Sequence, residues 1–338
     1  MTAQQRPITD ELPPSTTLKD GAYRITEVRR STRNSLNYAG EAADGTAVEI
    51  KEFYLRDLCK RTGIQIEVRE RKDARMLSGL VRSFARDAAF LTSLDSPAVA
   101  NVREVFEENG TAYMVSERPE GTALVSLLDQ PGAGLTPDEI MSVARDLAHA
   151  LIEIHGFGML HRDVTPSNIV LTPEKSAILL PEFGTFREDR SKVSRVVSSV
   201  LQSTQDYAPF ELAFDDKRQG DGSDIYSMGA VIYHLMTGAP PASSLDRLAA
   251  VAENEADPYV KVEGNIEGYD PRFLKVVDFS LELFLEARIK SATEFTLISV
   301  ETPDLQEAQD LQQSAAERSA PLLNRGIMSK LRSLFFRS

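Results

Sequence analysis

The chain has no tryptophan, a single cysteine and four histidines in 338 residues. Cys59 by itself cannot close an internal disulfide, and no Cys/His grouping has the spacing of a zinc site. Met1–Pro14 lacks an apolar core of signal-peptide length, and no uninterrupted apolar run is long enough to span a bilayer. Positive charge is also short: 38 Lys+Arg against 51 Asp+Glu leave a formal charge of −13. That balance argues against a general nucleic-acid binder, which needs basic surface to displace counterions. No internal repeat or low-complexity block is present. These absences predict a cytoplasmic protein.

What is present is apolar content of 42%, ample for one large domain or two smaller ones. Met1 to about Leu18 is rich in Pro, Thr and Gln and reads as a mobile leader. Strands are predicted near Tyr23-Arg24-Ile25, at Leu36–Ala39 and, after a turn at Asp44-Gly45, at Val48-Glu49-Ile50-Lys51. A helix follows over Val81–Leu94. A strand at Ala112–Ser116 then leads into the linker Glu117-Arg118-Pro119-Glu120-Gly121. Thr136-Pro137-Asp138-Glu139 is a capping box with proline at the first helical position. Beyond it Ile140, Val143, Ala144, Leu147, Leu151 and Ile154 share one buried helical face. A second helix, opened by Asp224, is apolar nearly all round and must be buried.

The most informative stretch is Met159–Leu171. It contains His161-Arg162-Asp163, with Asn168 five positions after the aspartate, between a helix ending at Gly156 and a hairpin, Ile169–Leu171 with Ala177–Leu180. Glu182-Phe183-Gly184 and Tyr207-Ala208-Pro209-Phe210-Glu211 follow. This order matches the catalytic loop H-R-D-x-x-x-x-N, D-F-G and A-P-E of protein kinases. With Ile50-Lys51-Glu52-Phe53-Tyr54, Gly79-Leu80 through Asp87-Ala88, and Asn109–Val115, the chain resembles the eukaryotic-like bacterial Ser/Thr protein kinases over roughly Leu12 to Phe295.

The resemblance implies an α+β, two-lobed protein-kinase-like fold: a small antiparallel sheet with one main helix, then a larger helical lobe. The expected divisions are 1–18 leader, 19–118 first lobe, 119–300 second lobe, 301–320 linker or loose helix, and 321–338 tail. It also implies roles for residues. Asp163 takes the substrate hydroxyl proton, Asn168 and Glu182 hold magnesium, and Lys51 contacts the ATP phosphates and pairs with Asp87. Glu49, Glu117, Pro119 and Val170 stand where the family lines the adenine. Arg288 is the expected ion-pair partner of Glu211, and Asp224 is expected to accept N–H groups from the catalytic loop.

Several of these positions depart from the family pattern. The run Arg29–Ser35 has no glycine where the family closes a G-x-G-x-x-G loop over the phosphates. Its arginines could reach phosphate instead, or form a solvated turn. Glu49 replaces a small alanine, so its carboxylate must stay ionised at a desolvation cost, turn away, or protonate. Pro119 has no N–H to give the base. Asp87 is one methylene shorter than the family glutamate, Glu182 one longer than the family aspartate, and Thr165 replaces a lysine. Two readings therefore stand. One is a pseudokinase with a weak hold on ATP and Mg, acting in signalling by partner binding; the other is an active, atypical Ser/Thr kinase acting on a protein hydroxyl. Small-molecule phosphotransfer is disfavoured, because Glu211 and Arg288 belong to a protein-substrate architecture.

Ser191, Ser194, Ser198, Ser199, Ser203 and Thr204 are phosphate acceptors or an ordinary polar loop. The tail 321–338 carries Arg325, Lys330, Arg332 and Arg337 with no acid, and Ile327, Met328, Leu331, Leu334 and Phe335 on one helical face. That pattern fits contact with an anionic inner membrane face, a partner's groove, or docking back on the lobes.

Overall fold

The structure, a computed structural model, describes residues 10–31, 34–94, 96–128, 134–181, 206–213 and 219–300. These divide into two compact units. The first contains the described residues up to Ser96 together with Ala100–Pro119; the second contains Pro97–Val99 and the described residues from Glu120 onward.

The first unit is built on a six-stranded sheet. Its strands are β1 (Thr17–Leu18), β2 (Tyr23–Ser31), β3 (Ser35–Ala42), β4 (Ala47–Phe53), β7 (Val102–Glu108) and β8 (Thr111–Glu117), in the order β1-β2-β3-β4-β8-β7. All its pairings are antiparallel. The turn before β4 uses Gly45 at φ +83°, with Asp44 Oδ1 accepting from the Thr46 N–H at 2.9 Å. On β4 the period of two separates Val48, Ile50 and Glu52 from Glu49, Lys51 and Phe53.

Helix α1 (Ala74–Leu91) buries Leu77, Val81, Phe84, Ala88 and Leu91 at helical spacing and packs on β7 and β8. Each large apolar side chain so buried contributes roughly 1.5–3 kcal/mol. The helix begins seven residues before the predicted Val81. Ala74, Arg75, Met76 and Leu77 are good helix formers, and nothing in the preceding turn breaks the pattern.

Two further features depart from the sequence expectations. A second hairpin, β5 (Cys59–Thr62) with β6 (Gln65–Val68), intervenes between β4 and α1, turning at Gly63 with φ +62°. Part of the expected mobile leader is packed. Leu12 is fully buried, its N–H donates to the Tyr38 hydroxyl at 3.1 Å, and Asp10 and Glu11 pair with Arg56 at 2.5 and 3.0 Å. A lone leucine among polar residues gave little warning of an anchored segment.

In the second unit, strands β9 (Thr122–Ala123), β10 (Ile169–Leu171) and β11 (Ala177–Leu179) form a small sheet, order β11-β10-β9. The helices are α2 (Leu124–Leu128), α3 (Pro137–Gly156), α4 (Asp221–Thr237), α5 (Ser244–Ala252), α6 (Pro271–Ser280) and α7 (Ala292–Val300). The capping box of α3 is formed: the Glu139 N–H donates to Thr136 Oγ1 at 3.3 Å and the Thr136 N–H to Glu139 Oε2 at 2.8 Å. Helix α4 is buried from Gly222 to Tyr233 and starts three residues before the predicted Asp224. A Cβ at Gly229 would lie 2.8 Å from the Ser280 Cβ, so glycine sets the close approach of α4 to the end of α6. Among the described residues, no helix is long and apolar enough to cross a membrane.

Candidate functional site

The loop from His161 to Asn168 is organised by one carboxylate on the first turn of α4. Asp224 is fully buried and accepts from the backbone N–H groups of His161 and Arg162, both at 2.7 Å. Its Oδ2 also lies 2.9 Å from His155 Nε2. Burial alone would raise its pKa, but the His155 hydrogen bond and charge, the His161 charge and the Arg162 N–H hold it below the ordinary carboxylate value. Arg162 sits at φ +62°, in left-handed space. Such a conformation costs about 1–3 kcal/mol in a residue with a side chain, and the Asp224 bonds offset it. His155, near the end of α3, is thus a structural prop for the loop.

Asn168 is only 2% exposed, and its side-chain amide donates twice to Asp163, to the carbonyl at 2.9 Å and to Oδ2 at 2.8 Å. The aspartate is thereby fixed in direction. His161 Nε2 meets the Leu180 carbonyl at 2.8 Å, and the Leu180 N–H donates to the Asn168 carbonyl at 2.9 Å. Val170 follows on β10, paired with Ala123 on one side and Ile178 on the other. Gly121 makes that sheet possible: at φ +150°, a Cβ there would stand 2.2 Å from the Leu171 carbonyl oxygen.

Glu211 and Arg288 form the expected pair, Oε1 to Nη1 at 2.6 Å, with side chains 4% and 0% exposed. Ser223 Oγ adds a donor to Glu211 at 3.0 Å. The remaining guanidinium hydrogens reach the carbonyls of Gly222, Glu282 and Leu283. The guanidinium also lies over the Tyr226 ring, 4.8 Å from its centroid.

In the first unit, Lys51 is 7% exposed and lies across from Asn37 on β3 and Met114 on β8. Glu49, two residues earlier on the same face, lies across from Ala39 and Ser116. Its carboxylate neither floats free nor turns into water: Arg118 Nε stands 3.6 Å from Oε1. The partner is the residue just before Pro119, so an ion pair occupies the sheet end of the linker. The Glu117 N–H is already used, donating to the Asn101 carbonyl at 2.8 Å. Asp87 pairs with its chain neighbour Arg86, at 3.1 Å, and its Oδ2 is buried without a hydrogen-bond partner among the described residues.

The opposite face of β4 holds what sequence reasoning missed. Glu52 is fully buried and accepts from the hydroxyls of Tyr38 and Tyr113, both at 2.8 Å, and from Arg61 Nη2 at 2.5 Å. Arg61 Nε donates to the Asp10 carbonyl at 2.5 Å, and Asn109 donates to the Tyr113 hydroxyl at 3.3 Å. Burial and then the Glu52 charge push both tyrosine hydroxyls far above their ordinary pKa. The available signal was a carboxylate at the third step of the alternation Val48, Ile50, Glu52. Beside this network, burial raises the Cys59 thiol to about 11, so it stays protonated at neutral pH.

Of the loop Arg29–Ser35, Arg29 pairs with Glu27 at 3.0 Å; Arg33 lies outside the described residues. Outside them too lie Glu182-Phe183-Gly184, the Ser/Thr-bearing segment from Thr185, and residues 301–338 with the basic tail.

Comparison with known proteins agrees with this geometry. The family model described as protein kinase domain matches residues 59–292. A probable serine/threonine-protein kinase of Clostridium perfringens is 30% identical over 192 residues, 56% of this chain and 27% of that protein. The serine/threonine-protein kinases PknH and PknB of Mycobacterium tuberculosis are 27% and 28% identical. They cover 70% and 66% of this chain, which spans 38% and 36% of their lengths. A solved structure titled PpkA-294 apo form superposes with a TM-score of 0.69 at 28% identity, over 86% of this chain and 99% of that one. The chain thus spans less than two-fifths of the length of these curated relatives.

Proposed function

From the premise that this chain belongs to the protein kinase domain family, we propose that it is a degraded member, a pseudokinase that acts in signalling by binding a partner. The observation carrying this reading is the Glu49–Arg118 ion pair beside a linker whose Pro119 has no N–H. The residues fit the two ends of Mg·ATP unequally. Of the residues the family uses on the phosphates, the first unit keeps the Lys51 cation, and in the second unit the doubly braced Asn168 and Asp163 retain the side chains a metal and a substrate hydroxyl require. Magnesium bound there would neutralise charge on the transferred phosphoryl group. Glu182, the other expected metal residue, stands at its family position in the sequence.

The base end fits poorly. One linker hydrogen bond is missing, about 1 kcal/mol, and a purine must displace or desolvate the ion pair at a further cost of about 1–3 kcal/mol. Together these weaken nucleotide binding roughly 30- to 1000-fold.

A second reading, an active atypical Ser/Thr kinase, draws support from the Asp163–Asn168 bonds, since a positioned aspartate is what proton acceptance needs. Thermal unfolding with millimolar ATP, with and without magnesium or manganese, separates the two. The pseudokinase reading expects no shift. A shift of several degrees that disappears in Lys51→Ala overturns it in favour of the enzyme.

A further inference from the structure

Helix α1 presents two unlike faces. One is the apolar face already described. The other is exposed and carries Arg75, Gly79, Arg82, Arg86, Ala89 and Phe90, all within about 60° of one line along an α-helix. The helix has one acid, Asp87, which lies off that line with a side chain 13% exposed. Before the helix start, Arg71 is exposed, and Lys72 is paired with Glu70 at 2.7 Å. Arg82 is bonded to Ser78 at 3.0 Å; Arg86 alone of the three helix arginines has a carboxylate partner among the described residues. In a chain of net charge −13, this is a concentrated patch of the opposite sign.

We propose that this face docks an acidic polypeptide segment of another protein. Arg75 to Arg86 spans about 16 Å along the helix axis, the reach of a short peptide. A nucleic acid or an anionic bilayer, extending far beyond this stripe, is disfavoured by a chain whose net charge is −13. The floor of the stripe admits close approach, since a Cβ at Gly79 would meet nothing within 4 Å. Phe90, 53% exposed at the end of the stripe, supplies an apolar anchor. The fitting segment therefore carries several carboxylates, spaced to meet three guanidiniums, and one apolar side chain at an end. Arginine suits such a site because its planar fork binds carboxylate bidentately.

This deepens the partner-binding reading, yet its test contains no nucleotide and stands or falls separately. A fluorescent Glu-rich peptide of about 14 residues with one terminal Leu would be titrated with the full chain, read by anisotropy at two salt concentrations. The double variant Arg75→Glu/Arg82→Glu is expected to bind at least about tenfold more weakly, or 1.4 kcal/mol, and Phe90→Ala several-fold more weakly. Arg272→Glu, exposed on α6, should leave binding unchanged. Arg75→Gln/Arg82→Gln repeats the test without charge reversal, and a retained melting temperature certifies folding of each variant. Unchanged binding in both arginine double variants overturns the proposal. So does tighter binding of a single-stranded oligonucleotide or phosphatidylserine vesicles than of the peptide.

Discussion

In the catalytic loop, the polar groups close on one another through a single buried carboxylate, Asp224, which takes two backbone N–H groups and a histidine. On strand β4, two carboxylates three residues apart meet opposite surroundings. Glu52 has three donors and no exposure, whereas Glu49 stands 3.6 Å from the Arg118 guanidinium and keeps a side chain 24% exposed. The loop and the back of the strand are braced as a kinase framework requires. The other face of the strand carries charge at Glu49, and in the proposed reading a purine there would want an apolar wall. Framework and ligand contacts are separable, because the bonds that hold Asp163 do not pass through the residues that would touch a base.

The sharpest test of the framework is Arg288→Ala. It leaves Glu211 charged and buried with its main partner gone, and loss of one member of a buried pair costs about 3–5 kcal/mol. Urea or thermal unfolding should show a large loss of stability in the second unit. A loss under about 1 kcal/mol would mean the pair braces nothing.

Asp224→Asn comes next. It weakens charge-assisted bonds to two N–H groups, by about 1.5–3 kcal/mol at neutral pH. Because the folded pKa of Asp224 is depressed, its contribution is present above the unfolded value, about 3.9, and is lost as pH falls through the folded value. The stability gap between the natural chain and Asp224→Asn should therefore be widest near neutrality and shrink below about pH 4. A gap constant with pH would show that the charge is idle.

The smallest expected effect probes the other side of the comparison. Pro119→Ala restores a linker N–H worth about 1 kcal/mol, or roughly fivefold in ATP affinity by calorimetry. Affinity unchanged in this variant, and also in Glu49→Ala/Pro119→Ala, would place the obstacle elsewhere.

The strands β2, β3, β4, β8, β10 and β11, the α3 capping box, the Asp163–Asn168 loop and the Glu211–Arg288 pair were legible in the sequence because each rests on local periodicity or fixed motif spacing, whereas β1, β5, β6, β7 and β9 were not. The Arg118 partner of Glu49 was not legible, since it depends on strand register between β4 and β8. Nor was the Glu52 network, whose members Tyr38, Arg61 and Tyr113 come from three other strands. The start of α1 was missed for a different reason. Leu77 already belongs to its buried face, but Ser78 and Gly79 separate it from Val81, and the reading began only at the denser apolar run beyond them.

Cys59, fully buried at the start of the β5–β6 hairpin with its thiol raised to about 11, has one more consequence. A sulfhydryl reagent finds no nucleophile on the folded molecule and can react only through conformations in which that hairpin lifts. The chain thus carries its own built-in gauge of how often the first unit opens, with no engineered label required.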